Sequence, residues 1–242
     1  MRRIPLIVTN TSKRPMDIDV HYRQLLNSKI GTVNEITHGW YGGGVNNNLG
    51  RPTEFSSVDR ILFANDTTTA LVRGNMTTTR GHGSGTSNFT DGWIAGGVLT
   101  QNTQYTSRID RITFVTDGSV ALLRGPISLA RHNTAAVGNT TDGWITGGTT
   151  DSSGMPPGRS IVDRIIFSAD LSTTSVRNPL PQGISAHASA SNTSAGWLFS
   201  GYAATFPVSN VYRLTFANDT SALSTRGPIQ VIRNNHDAAW NS

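Results

Sequence analysis

The residues able to do chemistry in this 242-residue chain are few and regularly placed. An Asp-Arg pair occurs at Asp59-Arg60, Asp110-Arg111 and Asp163-Arg164, and the fourth occurrence reads Tyr212-Arg213. An acid beside a base at a fixed period could line a binding ring, or it could tie one strand to a turn or a neighbouring unit. Three consecutive recurrences favour the tie, because buried charges need partners and arginines supply them. His82, His132, His187 and His236 fall in one type of segment, where four imidazoles could ring a metal. Their registers disagree: His187 and His236 share a place in the repeat, His82 sits one position earlier and His132 one earlier still. Successive strand positions face opposite ways, so no metal or other cofactor is expected.

The remaining enzymatic patterns are missing. With no cysteine there are no disulfides, thiol nucleophiles or cysteine zinc sites. Neither Gly-x-Ser-x-Gly nor His-Glu-x-x-His is present, and Glu35 and Glu54 are the only glutamates, so a catalytic carboxylate pair would have to come from aspartates the repeat already uses. The reading is of a protein that is not an enzyme. The net charge of +5 is thinly spread, with six Lys/Arg against three acids before residue 37, and no basic cluster is interleaved with aromatics. Nucleic-acid binding is therefore not expected. No apolar run approaches the roughly 18 residues of a membrane span. Ile4 to Val8 is too short for a secretory core of about 7–15 residues.

What must position these residues is a repeat. Gly-Trp recurs at Gly39-Trp40, Gly92-Trp93, Gly143-Trp144 and Gly196-Trp197, each followed by a short β-prone run ending in glycine. Next comes the segment holding Asp59-Arg60, Asp110-Arg111, Asp163-Arg164 or Arg213, apolar at its first, fourth and sixth places as in Val162, Ile165 and Phe167. That pattern suits a strand with one buried face. A third segment carries Arg73, Arg124, Arg177 or Arg226, and a fourth runs through small residues such as Ala135-Ala136-Val137. Four short β-prone segments in about 50 residues, separated by Asn, Asp, Gly, Ser and Thr, predict one propeller blade per repeat, the small-residue strand innermost. With lysine and glutamate scarce and turn-forming residues abundant, the fold class is all-β.

The repeat resembles the kelch motif: a Gly-Gly pair ends one strand, an Asp/Tyr-Arg strand follows, then an arginine turn and a strand of small residues. The resemblance covers residues 37–242 and departs from kelch in placing Trp40, Trp93, Trp144 and Trp197 before the branched residue. The Gly/Thr/Asn-rich style is similar to that of virion structural proteins of tailed bacteriophages. Together these imply a four-bladed kelch-like β-propeller with blades at about 37–80, 81–131, 132–184 and 185–232. Aligning Arg131 with Arg233 places Asn241-Ser242 on Asn139-Thr140, after which the next repeat would read Thr-Asp-Gly-Trp; Thr37-His38-Gly39-Trp40 supplies those letters with His38 in the aspartate's place. Residues 233–242 are thus expected to be a closing strand that pairs the C-terminal and N-terminal repeats, the competitors being a fifth, irregular blade built from the first 36 residues and closure between chains.

Residues 1–36 do not match the repeat and are read as a docking arm. Its contacts would come from Arg2, Arg3, Ile4, Leu6, Ile7, Lys13, Arg14, Tyr22 and Arg23, an apolar segment with basic flanks that needs a surface to cover it. The phage resemblance implies a structural protein in the tail, baseplate or fibre, with capsid decoration next. Such a protein would assemble in the host cytoplasm, dock on other virion proteins through the arm and form a homo-oligomer in the particle. The alternative is a carbohydrate-binding propeller for host-surface glycans. Its loops would be Gly44 to Ser57, Val98 to Ser107 and Thr149 to Ser160, where Phe55 and Tyr105 are the only aromatics.

Overall fold

The computed structural model describes residues 37–46, 53–100, 104–151, 157–204 and 206–233. The chain divides into the units Met1–Ile36 and Thr37–Ser242, and every described residue lies in the second. The expected docking arm and all but the first residue of the expected closing strand lie outside the described residues.

The described residues are all-β, arranged as several small antiparallel sheets in a β-propeller-like fold, with no α-helix among them. Each repeat builds one main sheet. The third has the spatial order Ala135–Gly138, Asp142–Thr146, Val162–Ile166, Ser175–Val176, and the fourth has Ala188–Ser191, Ala195–Ala203, Phe206–Thr215, Ser224–Arg226. The second runs Ser84–Ser87, Asp91–Ala95, Ile109–Thr113, Leu122–Arg124. The first is three-stranded: His38–Gly42, Ser57–Leu62, Leu71–Asn75. Register is the same in every sheet, with Trp40 opposite Arg60, Trp93 opposite Arg111, Trp144 opposite Arg164 and Trp197 opposite Arg213. On the other side of the tryptophan strand stand the smaller Thr86, Val137 and Ala190, which give the indole room.

The Gly-Gly pairs turn the chain where the tryptophan strand ends. Gly96 and Gly97 have φ of +67° and +112°, a left-handed conformation that glycine adopts without a Cβ clash. This exposes the Gly97 N–H to the carbonyl of Arg131, which begins the next repeat, at 2.9 Å. Gly44 binds Arg80 and Gly148 binds Ile184 in the same way, at 3.0 and 2.9 Å, and Gly201 binds Arg233 at 3.3 Å. Beyond the glycines two of the expected loops carry short hairpins of their own. Val45–Asn46 pairs with Thr53–Glu54 and Val98–Thr100 with Gln104–Tyr105, because after two left-handed residues the chain re-enters extended conformation and can pair. The Asn-x-Thr/Ser triplets close turns: the side-chain oxygen of Asn88 accepts the backbone N–H groups of Thr90 and Asp91, and Asn139 and Asn192 repeat the arrangement.

The core lies between sheets rather than in one central mass. Val58, Met76 and Ile112 join the first and second repeats; Trp93, Ile109, Ile145, Ile165 and Phe167 join the second and third. Trp144, Val162, Ile184, Leu198, Tyr212 and Phe216 join the third and fourth. Stability in such an array comes from nearest-neighbour interfaces, so the junctions between repeats are where the side chains matter most.

Candidate functional site

Each repeat carries a short 3-10 turn after its Arg strand, at Phe63–Asn65, Phe114–Thr116, Phe167–Ala169 and Phe216–Asn218, followed at once by an aspartate: Asp66, Asp117, Asp170 or Asp219. The turn is the receiving half of a junction. The Trp40 indole N–H donates to Asp117 at 2.8 Å, Trp93 to Asp170 at 2.8 Å and Trp144 to Asp219 at 2.8 Å, each reaching into the following repeat. The same indoles stack on Phe114, Phe167 and Phe216, with ring centroids 3.9, 3.9 and 4.2 Å apart. This explains the glycine of Gly-Trp. A Cβ on Gly92 would stand 3.1 Å from the Phe114 ring, and one on Gly143 3.1 Å from Phe167, so the phenylalanine fits between its own repeat's glycine and the previous repeat's tryptophan.

Two arginines complete each carboxylate cage. Arg60 and Arg73 reach Asp117 at 3.2 and 2.7 Å; Arg111 and Arg124 both reach Asp170 at 3.2 Å; Arg164 and Arg177 reach Asp219 at 3.4 and 3.2 Å. Burial acts to raise the Asp117 carboxyl. The hydrogen bonds from Arg73 and Trp40, with the charges of Arg60 and Arg73, outweigh it and hold the group below the ordinary carboxylate value. Arg164 is raised above its ordinary value, first by the hydrogen bond it donates to Asp142 at 2.8 Å.

A second, fully buried layer lies below. Arg80 pairs with Asp110 at 2.7 Å and Arg131 with Asp163 at 2.7 Å, all four side chains being at most 1% exposed. Burial pulls both guanidinium groups below their ordinary value, and the facing carboxylates oppose it. At the third junction these places are held by Ile184 and Tyr212, also buried. The exchange is concerted. Ser128 and Thr174, which donate to Asp163, are matched by Pro181 and Leu223, so the uncharged version leaves no donor facing an absent acid.

The Asp-Arg pairs singled out from the sequence are therefore not paired internally. Asp110 and Asp163 reach back to the segment that enters their repeat, whereas Arg60, Arg111 and Arg164 reach forward to the next turn. Asp59 and Arg213, the outermost of the set, reach no repeat beyond their own among the described residues, and Arg213 lies over the Trp197 ring at 5.6 Å. Sequence reading passed over Asp117, Asp170 and Asp219. The available signal was the spacing Phe-x-x-Asp, present in all four repeats. Arg2, Arg3, Ile4, Leu6, Ile7, Lys13, Arg14, Tyr22 and Arg23 lie outside the described residues.

The histidines occupy different environments. His82 and His132 approach edge to face at 6.2 Å; His132 also stacks on Tyr105 at 4.8 Å and contacts the Asp151 carbonyl through Nε2 at 3.0 Å. His187 instead meets the Thr146 hydroxyl at 3.0 Å. Among the described residues no three His, Asp or Glu side chains converge as a metal site. No helix among them is long and apolar enough to cross a membrane.

No protein-family model matches the chain, and no curated protein matches it in sequence. Solved structures do match in three dimensions. The structure of YjhT aligns over 81% of this chain and 67% of its own, with a TM-score of 0.61 at 11% identity. At that identity the likeness concerns architecture alone, and it agrees with the propeller-like arrangement of small antiparallel sheets.

Proposed function

We propose that the chain is a structural protein made of four kelch-like blades, one per repeat, that residues 233–242 add the inner strand to a first-repeat sheet, and that it works by protein–protein contact in the virion of a tailed bacteriophage. The observation that carries the scaffold reading is how the charged residues of the repeat are used. Asp110, Asp117, Asp163, Asp170 and Asp219 are all buried in ties within and between repeats. Such a set of contacts makes a rigid array rather than a reactive cleft. The strand addition is supported from both sides. The first sheet presents His38–Gly42 as an edge, beside a cavity of about 220 Å³ bordered by Trp40, Gly42, Ser84 and Gly85. The Arg233 carbonyl is held by Gly201 as the carbonyls of Arg80, Arg131 and Ile184 are held by their glycines. The virion assignment draws on the Gly/Thr/Asn-rich style of the repeats, and docking through residues 1–36 belongs to it. Immunogold labelling of particles from the phage that encodes the chain tests it: label on tail, baseplate or capsid is expected, and a chain found only free in the lysate overturns it. The glycan alternative rests on Phe55, which is 42% exposed, since Tyr105 is occupied by His132. A glycan array is its test.

A further inference from the structure

Every internal junction joins a trailing face to a leading face. The trailing face carries the tryptophan, its cross-strand arginine and the last strand's arginine with the residue after it, Gly74, Gly125 or Asn178; the leading face carries the Phe-x-x-Asp turn. At the two ends of the array each face stands alone. On the fourth repeat, Trp197 meets no ring or carboxylate of another repeat among the described residues, Arg213 lies over its own repeat's tryptophan ring with no ion pair among them, and Arg226 is exposed. Gly227 is the clearest sign. Its counterparts Gly74 and Gly125 are pressed against the Ser119 and Ser172 carbonyls of the next repeat and donate to the backbone carbonyls of Asp117 and Asp170 at 2.6 and 2.8 Å, yet no atom of the described residues comes within 4 Å of a Cβ built on Gly227. On the first repeat, Phe63 is 53% exposed, whereas Phe167 and Phe216 are each 6% exposed, and Asp66 is exposed where Asp117, Asp170 and Asp219 are buried.

The second layer repeats the pattern. Arg80 with Asp110 and Arg131 with Asp163 span the first two junctions, and at the third both partners are replaced together. The matching positions at the ends are Arg233, exposed, and Asp59. The ends thus hold a complete set of junction parts of opposite charge: Arg213, Arg226 and Arg233 on one, Asp59 and Asp66 on the other.

We propose that the trailing face of the fourth repeat takes the leading face of the first repeat of a second copy, head to tail. This rests on the structural reading above and names its partner. The choice of a second copy over the chain's own first repeat follows from the three complete junctions. Each is fixed by a 2.8 Å indole–carboxylate bond and a ring stack, and with all three formed the described residues of the two end faces still do not meet. Joining them within one chain would bend those junctions, whereas a second copy docks without disturbing any. A heterologous contact of this kind propagates into a ring or a filament.

The test uses the full chain and two single substitutions at exposed positions, Gly227→Leu to block the trailing face and Asp66→Arg to block the leading face, with circular dichroism to verify that both remain folded. Light scattering should give at least twice the chain mass for the unmodified protein, the single-chain mass for each variant alone, and a two-chain mass for their equimolar mixture, because one intact face of each kind remains. A monomeric unmodified protein in which Asp66→Arg alters tryptophan emission would mean closure within the chain and would overturn the proposal. An assembly that neither variant reduces would place the contact elsewhere and overturn it equally. Immunogold labelling is independent of both results, so the virion reading can stand or fall separately.

Discussion

Replacing Arg131 by isoleucine puts into the second junction half of what the third junction already contains. Arg131 and Asp163 are both fully buried at 2.7 Å, and Arg131 also donates to the carbonyls of Gly147 and Ile145 at 2.7 and 3.2 Å. Removing one member of such a pair leaves a buried charge uncompensated, which costs about 3–5 kcal/mol. For a domain of this size that corresponds to a melting temperature lower by about 6–20 °C. The fourth repeat shows how the cost is avoided: Ile184, Tyr212, Pro181 and Leu223 replace arginine, acid and both donors together. The combined variant Arg131→Ile, Asp163→Tyr, Ser128→Pro, Thr174→Leu should therefore recover to within about 2 kcal/mol of the unmodified protein, the residual being the Ile145 and Gly147 carbonyls that lose a donor. Urea unfolding followed by circular dichroism at fixed protein concentration measures both variants. A cost below about 1 kcal/mol for Arg131→Ile would mean the pair is not desolvated as described. A combined variant no more stable than Arg131→Ile would refute the equivalence of the two junctions.

Other expectations follow from the same contacts. Gly125→Ala drives a methyl into the Ser172 carbonyl and should lower the melting temperature by several degrees, while Gly118→Ala, whose nearest neighbour is the flexible end of Arg73 at 3.8 Å, should leave it nearly unchanged in the same thermal scan. The folded Asp117 lies below its ordinary value, so its stabilisation is present above an unfolded pKa of about 3.9 and is lost as pH falls through the folded value; Asp117→Asn should flatten the acid limb of stability against pH. His132 is lowered first by burial, so the unfolded chain takes up the proton more readily. Stability should fall as pH drops below about 6.5, and His132→Gln should weaken that dependence in unfolding titrations at pH 5 to 7, the remainder belonging to His82, which burial also lowers.

The repeat and its strands were legible because Gly-Trp and the branched-Asp-Arg segment recur in fixed order, and the structure puts Trp93 opposite Arg111 and Trp144 opposite Arg164 in matching register. The direction of the ties was not legible. Asp110 and Arg111 are adjacent in sequence but point to opposite faces of a strand, one back to Arg80 and one forward to Asp170, and only the placement of the sheets decides which neighbour each meets. Asp170 looked like an ordinary turn residue. Its importance comes from Trp93, 77 positions earlier, a separation that local pattern cannot register. The Ile184–Tyr212 exchange was visible as a departure from the repeat, but its meaning required knowing that the two positions belong to the same junction.

Tryptophans that reach into the following repeat hold the array together. Nitrogen-15 labelling of the indoles tests this most directly, because each hydrogen-bonded N–H reports on its own carboxylate. Replacing Asp170 by alanine, which removes the acceptor, should shift and deprotect the Trp93 indole while leaving Trp144, in the same repeat as Asp170, in place. A shift of Trp144 instead, or no response from Trp93, would contradict it.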